Sequence, residues 1–447
     1  MRLFLLIALI LCSTTVGTLP AQWLETTLAA GDGACALCYN STNNKVYCAN
    51  RSGNSVTIID GEANQVITTL PVGSGPQDVC CNSTNNKVYV ANYGDTTVTV
   101  IDGASNSVTA TVVVGNYPWA VCYNPTSNKV YCSNSGSSTV SVINGASNQV
   151  VATDTVGMWP EVIGCNRTDN KVYCATNSND SVYVIDGASN NVIATVAVGG
   201  SPASLCHNPA NDEVYCANSG DNTVTVIGGA SNHVINTVPV GYAPGALVCD
   251  SADNKVYCAN TGDTTVTVIS GVTNHVIATV ATMSAPGALC HDRINNKLYC
   301  AHYTYGYVTV IDCASDRVIK TIHLTGETPE PCAFTWNPVQ NRIYVADKEQ
   351  GKVAVLRDSM TGVEEGRPPS VPGPASYVGP TVVRNVLHLL EASGLEPQAA
   401  SLLDIAGRAV LSLKPGANDV RHLPAGAYFI RFTRNGPFST SRLLILP

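Results

Sequence analysis

The chain has 447 residues, a formal net charge of −8 and only 13% charged residues. That length allows two or three ordinary domains, or one repeat array with an appendage. The acidic balance, rich in Val, Thr, Asn, Gly and Tyr, favours strands and turns over helices. It offers no basic surface for nucleic acid or anionic lipid.

Residues 1–21 read as a signal peptide. Arg2 is a short positive start, Leu3 to Leu11 form an apolar run, and Ser13, Thr14, Gly17 and Thr18 are small residues near a cleavage point between Gly17 and Ala21. The run is too short to span a bilayer, and no later segment is apolar enough to cross one. Cys12 follows Leu9-Ile10-Leu11, without the small residue expected before a lipidated cysteine. Export permits disulfides among the remaining cysteines, whose odd number leaves at least one thiol outside any intramolecular pairing.

Residues 22–360 are built on a repeat. The motif Asn-Lys-Val-Tyr-Cys-Ala-Asn places its tyrosine at Tyr47, Tyr89, Tyr131, Tyr173, Tyr215, Tyr257 and Tyr299, each 42 residues after the last, with an eighth copy at Tyr344. A fixed period of this length with strand-like content predicts propeller blades. Within residues 76–115, Gln77 to Cys81, Lys87 to Ala91, Thr97 to Ile101 and Val108 to Val114 read as four strands. The turns between them are rich in Asn, Asp and Gly. Trp23 to Leu28 aligns with Gln65 to Leu70 and is an orphan fourth strand, whereas the eighth unit stops after its third strand, Val353 to Leu356. Pairing the two closes a ring and removes the open edge. The expected fold is all-β: an eight-bladed propeller of four-stranded blades, closed by the N-terminal strand, followed by a small C-terminal β-sandwich.

Tyr-Val-Ala-Asn, Thr-Val-Thr-Val-Ile-Asp-Gly and Val-Ile-Ala-Thr-Val-Ala-Val-Gly resemble the YVTN family of propeller repeats found in surface-layer and other exported proteins, over residues 23 to 358. Members are usually described as seven-bladed, so the count of eight departs from the pattern. Relatives of this fold include binding proteins, surface-layer components and a few enzymes, so the resemblance implies a fold more than a function.

Residues 361–381 are a Pro/Gly-rich linker. In 382–447, Asp-Ile-Ala-Gly-Arg (Asp404, Gly407, Arg408), Pro-Ala-Gly-Ala-Tyr-Phe-Ile-Arg (Gly426, Tyr428, Arg431) and a terminal Arg-Leu-Leu-Ile-Leu resemble the sorting domain of type IX secretion substrates. The resemblance implies a partner in the outer-membrane secretion machinery and a secreted or surface-attached product.

The chemistry of an enzyme is mostly missing. Cys35-Ala-Leu-Cys38 is followed by Tyr39, which rules out a haem-attachment motif. The eight histidines are scattered, and the pairs His207/His291 and His233/His275 follow from duplication, so neither a metal nor a cofactor is expected. Asp60, Asp102, Asp186 and Asp312 fill the same turn in successive blades, as scaffold residues do. Asn40 and Asn82 form glycosylation sequons that arise from the turn chemistry. The channel positions are Cys35, Gln77, Trp119, Glu161, Ala203, Gly245, Gly287 and Cys332, a poor catalytic set. The favoured function is a binding or structural propeller; the alternative is a lactonase- or lyase-like enzyme acting on a small extracellular substrate.

Loops between strands four and one, and between two and three, diverge and gain aromatics, whereas those on the opposite face stay alike. Tyr93, Tyr117, Trp119, Trp159 and Glu161 therefore mark the expected site for a glycan or protein ligand over blades 2 to 4. A weaker cluster is Tyr303, Tyr305 and Tyr307. Four hairpin disulfides are expected, Cys38/Cys48, Cys122/Cys132, Cys206/Cys216 and Cys290/Cys300, on the reading that each pair is symmetric about its turn. Cys165 and Cys249 are displaced by one residue and are not expected to pair with Cys174 and Cys258; Cys35 and Cys332 share a register that could lock the seam.

Overall fold

Each repeat folds into a four-stranded antiparallel sheet, and eight such sheets are present among the described residues. This computed structural model describes residues 22–358, except 325, 327 and 328, and seven further strands between Thr381 and Ile445. The segments read as signal peptide (residues 1–21) and, nearly all of it, as linker (361–381) lie outside the described residues. In blade 2 the strands are Pro76–Asn82, Lys87–Asn92, Thr97–Asp102 and Ser107–Val113, close to the sequence reading. The second and third strands are buried on both faces because each blade packs between two others. The cores accordingly lie between blades: Tyr89, Val98 and Val100 pack with Val121, Val130, Cys132 and Ile143 of blade 3.

The conserved-looking polar letters of the repeat join one blade to the next. Lys87 Nζ donates to the Gly145 carbonyl at 3.0 Å and to Asn148 Oδ1 at 2.9 Å, and Tyr89 Oη donates to the same Asn148 Oδ1 at 2.9 Å. Asn82 Nδ2 donates to Asn128 Oδ1 at 2.9 Å, as Asn40 does to Asn86 and Asn124 to Asn170. Buried amides are stable only when paired in this way. Asn40 and Asn82 are fully buried in this ladder, which is why the sequon pattern sits there.

The ring closes as expected. The strand Gln22–Ala29 runs antiparallel to Lys352–Asp358, with Leu24 opposite Leu356 and Leu28 opposite Val353. Blade 8 then reaches blade 1 through the contacts used elsewhere. Arg342, in the lysine position, donates Nη1 to the Gly61 carbonyl at 2.8 Å, and Asn337 Nδ2 donates to Asn44 Oδ1 at 3.0 Å. Glu25 on the closing strand accepts from Arg342 Nε and Nη2, both at 2.8 Å, a two-pronged charged contact.

The four hairpin disulfides do not form. Cys38 lies opposite Tyr47, and Cys48 lies opposite Leu37. The turn has four residues, Ser41–Asn44, with Asn44 left-handed at φ 54°, not the five that symmetry about Asn43 requires. That one-residue difference turns the two thiols to opposite faces of the blade. The same register places Cys122 opposite Tyr131, Cys206 opposite Tyr215 and Cys290 opposite Tyr299. Cys48, Cys132, Cys216 and Cys300 are buried and unbridged, and Cys35 and Cys332 do not lock the seam. Cys38 instead bridges to Cys81 of blade 2, 43 residues on, with a Cα–Cα distance of 6.3 Å. Cys165 and Cys249 stand at the same offset from Cys122 and Cys206, their thiols are electrostatically coupled to those partners, and each donates to a carbonyl of the preceding blade, Tyr123 O at 3.3 Å and His207 O at 3.2 Å.

The chain divides after Glu365 into two units. In the second, Thr381–Val383, Thr440–Ile445, Gly426–Phe432, Ala400–Leu403 and Ala409–Leu413 form a five-stranded sheet in that order, and Val386–Leu389 pairs with Gly416–Asp419. Gly426, Tyr428 and Arg431 lie on the strand Gly426–Phe432, whereas Asp404, Gly407 and Arg408 lie outside the described residues.

Candidate functional site

One backbone position recurs in the loops that lead from a fourth strand to the next first strand. Gly33 and Gly75 occupy it with φ of 72° and 59°. Tyr117, Trp159, Ser201 and Ala243 occupy it in the following loops, with φ of 51°, 54°, 54° and 49°. Glycine takes this conformation freely, whereas a bulky side chain there costs about 1–3 kcal/mol. Tyr117 and Trp159 are 52% and 59% exposed, so burial of the rings does not offset that strain.

Ring contacts gather three of the expected residues. Tyr93 stacks on Tyr117 with centroids 5.2 Å apart and meets Trp119 edge-on at 5.3 Å. The Arg51 guanidinium lies 5.1 Å from the Tyr93 ring centre, a cation–π distance. Trp119 is half-buried and turns into the channel, where it lines two cavities. One, of about 290 Å³, is formed by Cys35, Gln77, Asp78, Trp119 and Phe334. The other, of about 430 Å³, is formed by Asp78, Trp119, Glu161, Asn177, Ser201 and Ser219. Glu161 is therefore brought to the same wall as Trp119. Trp159 ends the next loop, beside the exposed Met158.

Asp78 was missed by the sequence reading. It is an acid at a register otherwise filled by Ala36, Ala120, Val162, Ser204, Ala246, Ala288 and Ala333, and that singularity was there to be seen. Its Oδ1 accepts from Val79 N at 2.8 Å and its Oδ2 from Val121 N of blade 3 at 2.9 Å. Burial pushes its carboxyl up to about 6 against the opposing pull of those two N–H groups. Gln77 Oε1 is buried without a partner. Tyr242 extends the exposed aromatic face beyond the expected blades, at 63% exposure. In the weaker cluster, Tyr305 is exposed, Tyr303 Oη donates to the Gly287 carbonyl, and Tyr307 begins a strand and packs on His323 at 4.7 Å.

No family model matches this chain, nor does any curated protein sequence. Among solved structures it is similar to Saccharomyces cerevisiae Sqt1, with a TM-score of 0.66 and 11% identity, over 75% of this chain and 98% of that one. It is also similar to hydrazine synthase of Kuenenia stuttgartiensis, with a TM-score of 0.54 and 18% identity, over 74% and 97% of the two chains. The chain is an eight-bladed β-propeller. At these identities the likeness is one of fold, and the face carrying the aromatics has to be read on its own chemistry.

Proposed function

We propose that this propeller is an exported YVTN-type binding and structural module that holds a glycan or protein ligand on the face over blades 2 to 4. The observation that carries the reading is the pair of exposed rings, Tyr117 and Trp159, held on left-handed backbone where the first two loops use glycine. Local strain retained around an accessible aromatic surface favours a binding role over a packing one. Tyr93, Trp119 and Glu161 extend that surface into the channel mouth. Asp78 commits both oxygens to backbone N–H groups, which supports a scaffold role for it over general-base chemistry. The test is a glycan and extracellular-protein screen with the full chain and its Trp119→Ala/Trp159→Ala variant. Binding should fall at least tenfold while the melting temperature moves by no more than a few degrees; unchanged binding would refute the site.

The C-terminal unit, read as a small sandwich of the type IX sorting kind, would address the chain to an outer-membrane translocon. Deleting residues 382–447 should leave a soluble propeller retained in the periplasm. Normal surface delivery of that form would remove the sorting role.

A further inference from the structure

On the face opposite the aromatics, three departures from the repeat meet at one point. Asp250 ends the first strand of blade 6 (Pro244–Asp250), His291 lies near the end of the first strand of blade 7 (Pro286–Asp292), and Cys313 follows the third strand of blade 7 (Tyr307–Asp312). All three are buried, and their donor atoms lie within 4.8 Å of one another. His291 Nε2 is 3.9 Å from Asp250 Oδ2.

Elsewhere these positions are filled differently. Asp250 stands where Asn40, Asn82, Asn124, Asn166 and Asn208 run the amide ladder. Cys313 stands where Gly61, Gly103, Gly145, Gly187, Gly229 and Gly271 form the turn. A Cβ built on Gly145 would lie 2.5 Å from Asn82 Nδ2, and one on Gly271 would lie 2.8 Å from Asn208 Nδ2. A side chain at this turn therefore points at the residue that Asp250 replaces, and the ladder has to be rebuilt around it. It has been: Asn296 turns its Nδ2 to Asp253 Oδ2 at 2.9 Å and leaves its Oδ1 3.3 Å from His291 Nε2.

The rebuilt cluster is short of partners. Asp250 Oδ1 accepts from Ala252 N and Asp253 N, but the fully buried Oδ2 accepts nothing, and His291 Nδ1 is likewise buried and unpaired. A buried carboxylate oxygen left without a partner is costly, and a cation at this point removes the cost. In blade 7, Asp292 also replaces an asparagine, yet its Oδ2 accepts from Asn295 Nδ2. His207 serves as an internal control. It has Asn166 and Gly229 at the offsets where His291 has Asp250 and Cys313, and it settles on Asp212 at 3.2 Å.

We propose that Asp250, His291 and Cys313 bind a divalent transition-metal ion, zinc by the class of its donors, as a staple between blades 6 and 7. A carboxylate, an imidazole and a thiolate are a borderline-soft O, N, S set, and the Asn296 amide oxygen or a water completes four-coordination. Donors around such an ion sit about 3.3–3.8 Å apart given its bond lengths, so the cluster contracts by about 1 Å on loading. Binding takes the Cys313 thiol as thiolate and releases its proton to solvent. Lys255 Nζ of blade 6 already holds the Cys313 carbonyl at 2.7 Å, which fixes the turn beside the site.

The test is to strip the full-length protein with EDTA under a non-thiol reductant and titrate it with Co²⁺ and then Zn²⁺. One equivalent of Co²⁺ should produce a thiolate-to-cobalt charge-transfer band, Zn²⁺ should bleach it, and the metal should raise the melting temperature. Cys313→Gly and Asp250→Asn each restore the residue used in other blades, so both should fold and melt within a few degrees of the parent in EDTA. Both should lose the band and bind at least a hundredfold more weakly. Failure of the parent to take up an equivalent of metal would overturn the proposal, as would a band that survives in Cys313→Gly, which would place the metal on other thiols.

Discussion

Oxidising the protein should close two more bridges, Cys122–Cys165 between blades 3 and 4 and Cys206–Cys249 between blades 5 and 6, on the strands equivalent to those that Cys38–Cys81 joins in blades 1 and 2. Each closes a loop of 43 residues, as Cys38–Cys81 does. In the chain-entropy model such a loop is worth about 4 kcal/mol. A ring of this size unfolds with an entropy of about 0.7 kcal/mol per kelvin, so each bridge should raise the melting temperature by about 6 °C. The loops do not overlap, so their effects should add. The neighbouring Cys122 lowers the Cys165 thiol below the ordinary thiol range, and Cys206 lowers Cys249 in the same way. The lowered thiol of each pair is the one more readily ionised to the thiolate that attacks a disulfide. As pH falls the fraction of Cys165 thiolate should drop and its exchange with oxidised glutathione should slow. The assay is alkylation under denaturing, non-reducing conditions with mass spectrometry, followed by melting with and without reductant. A shortfall of six thiols supports the reasoning. A shortfall of two, with Cys122, Cys165, Cys206 and Cys249 all alkylated after oxidation, refutes it, as does a Cys122→Ser/Cys206→Ser variant whose melting shows the parent's sensitivity to reductant.

Glu25→Ala should cost about 1.5–3 kcal/mol, because it strips a two-pronged partner from the largely buried Arg342, and urea melts will show whether it does. Asp78 has a folded-state carboxyl raised above its unfolded value by burial, so its contribution to stability should be greatest below about pH 4 and decline as pH rises through about 6. Asp78→Asn should flatten that segment of the stability–pH curve relative to the parent, and an unchanged difference between the two proteins across this range would contradict the assignment. Trp159→Gly should raise stability by about 1 kcal/mol or more by relieving the left-handed strain, while lowering ligand affinity; a lower melting temperature would show that the ring packs.

The ring was legible because its signals repeat. The tyrosine spacing and the split last unit were enough to place Trp23 to Leu28 against Val353 to Leu356, inside the strands that pair. What escaped depended on a single residue of register or on partners far apart in sequence. The hairpin turn Ser41–Asn44 is one residue shorter than symmetry suggested, and that reversed which faces Cys38 and Cys48 occupy. The displacement of Cys165 and Cys249 was visible, but their partners lie on the preceding blade, and the hairpin argument never looked between blades. Tyr117 and Trp159 were legible as loop aromatics. Their left-handed backbone was not, since it shows only when they are aligned with Gly33 and Gly75. Asp250, His291 and Cys313 were each visible as odd letters, but only the fold brings them within 4.8 Å.

The strand that opens the ring is held by the strand that ends it, and Gln22 Nε2 reaches Asp358 Oδ1 at 3.0 Å across 336 positions of sequence. A chain that emerges from a ribosome or threads a secretion pore delivers Gln22 first and Asp358 last. Blade 8 therefore cannot be assembled until all the others have been delivered. The closing strand must wait through that interval without its partner, and so long-range a contact carries a large entropic delay. A product cut short before Lys352 has no last strand to offer Gln22–Ala29, so truncation leaves an unpaired strand edge open to pairing with another chain.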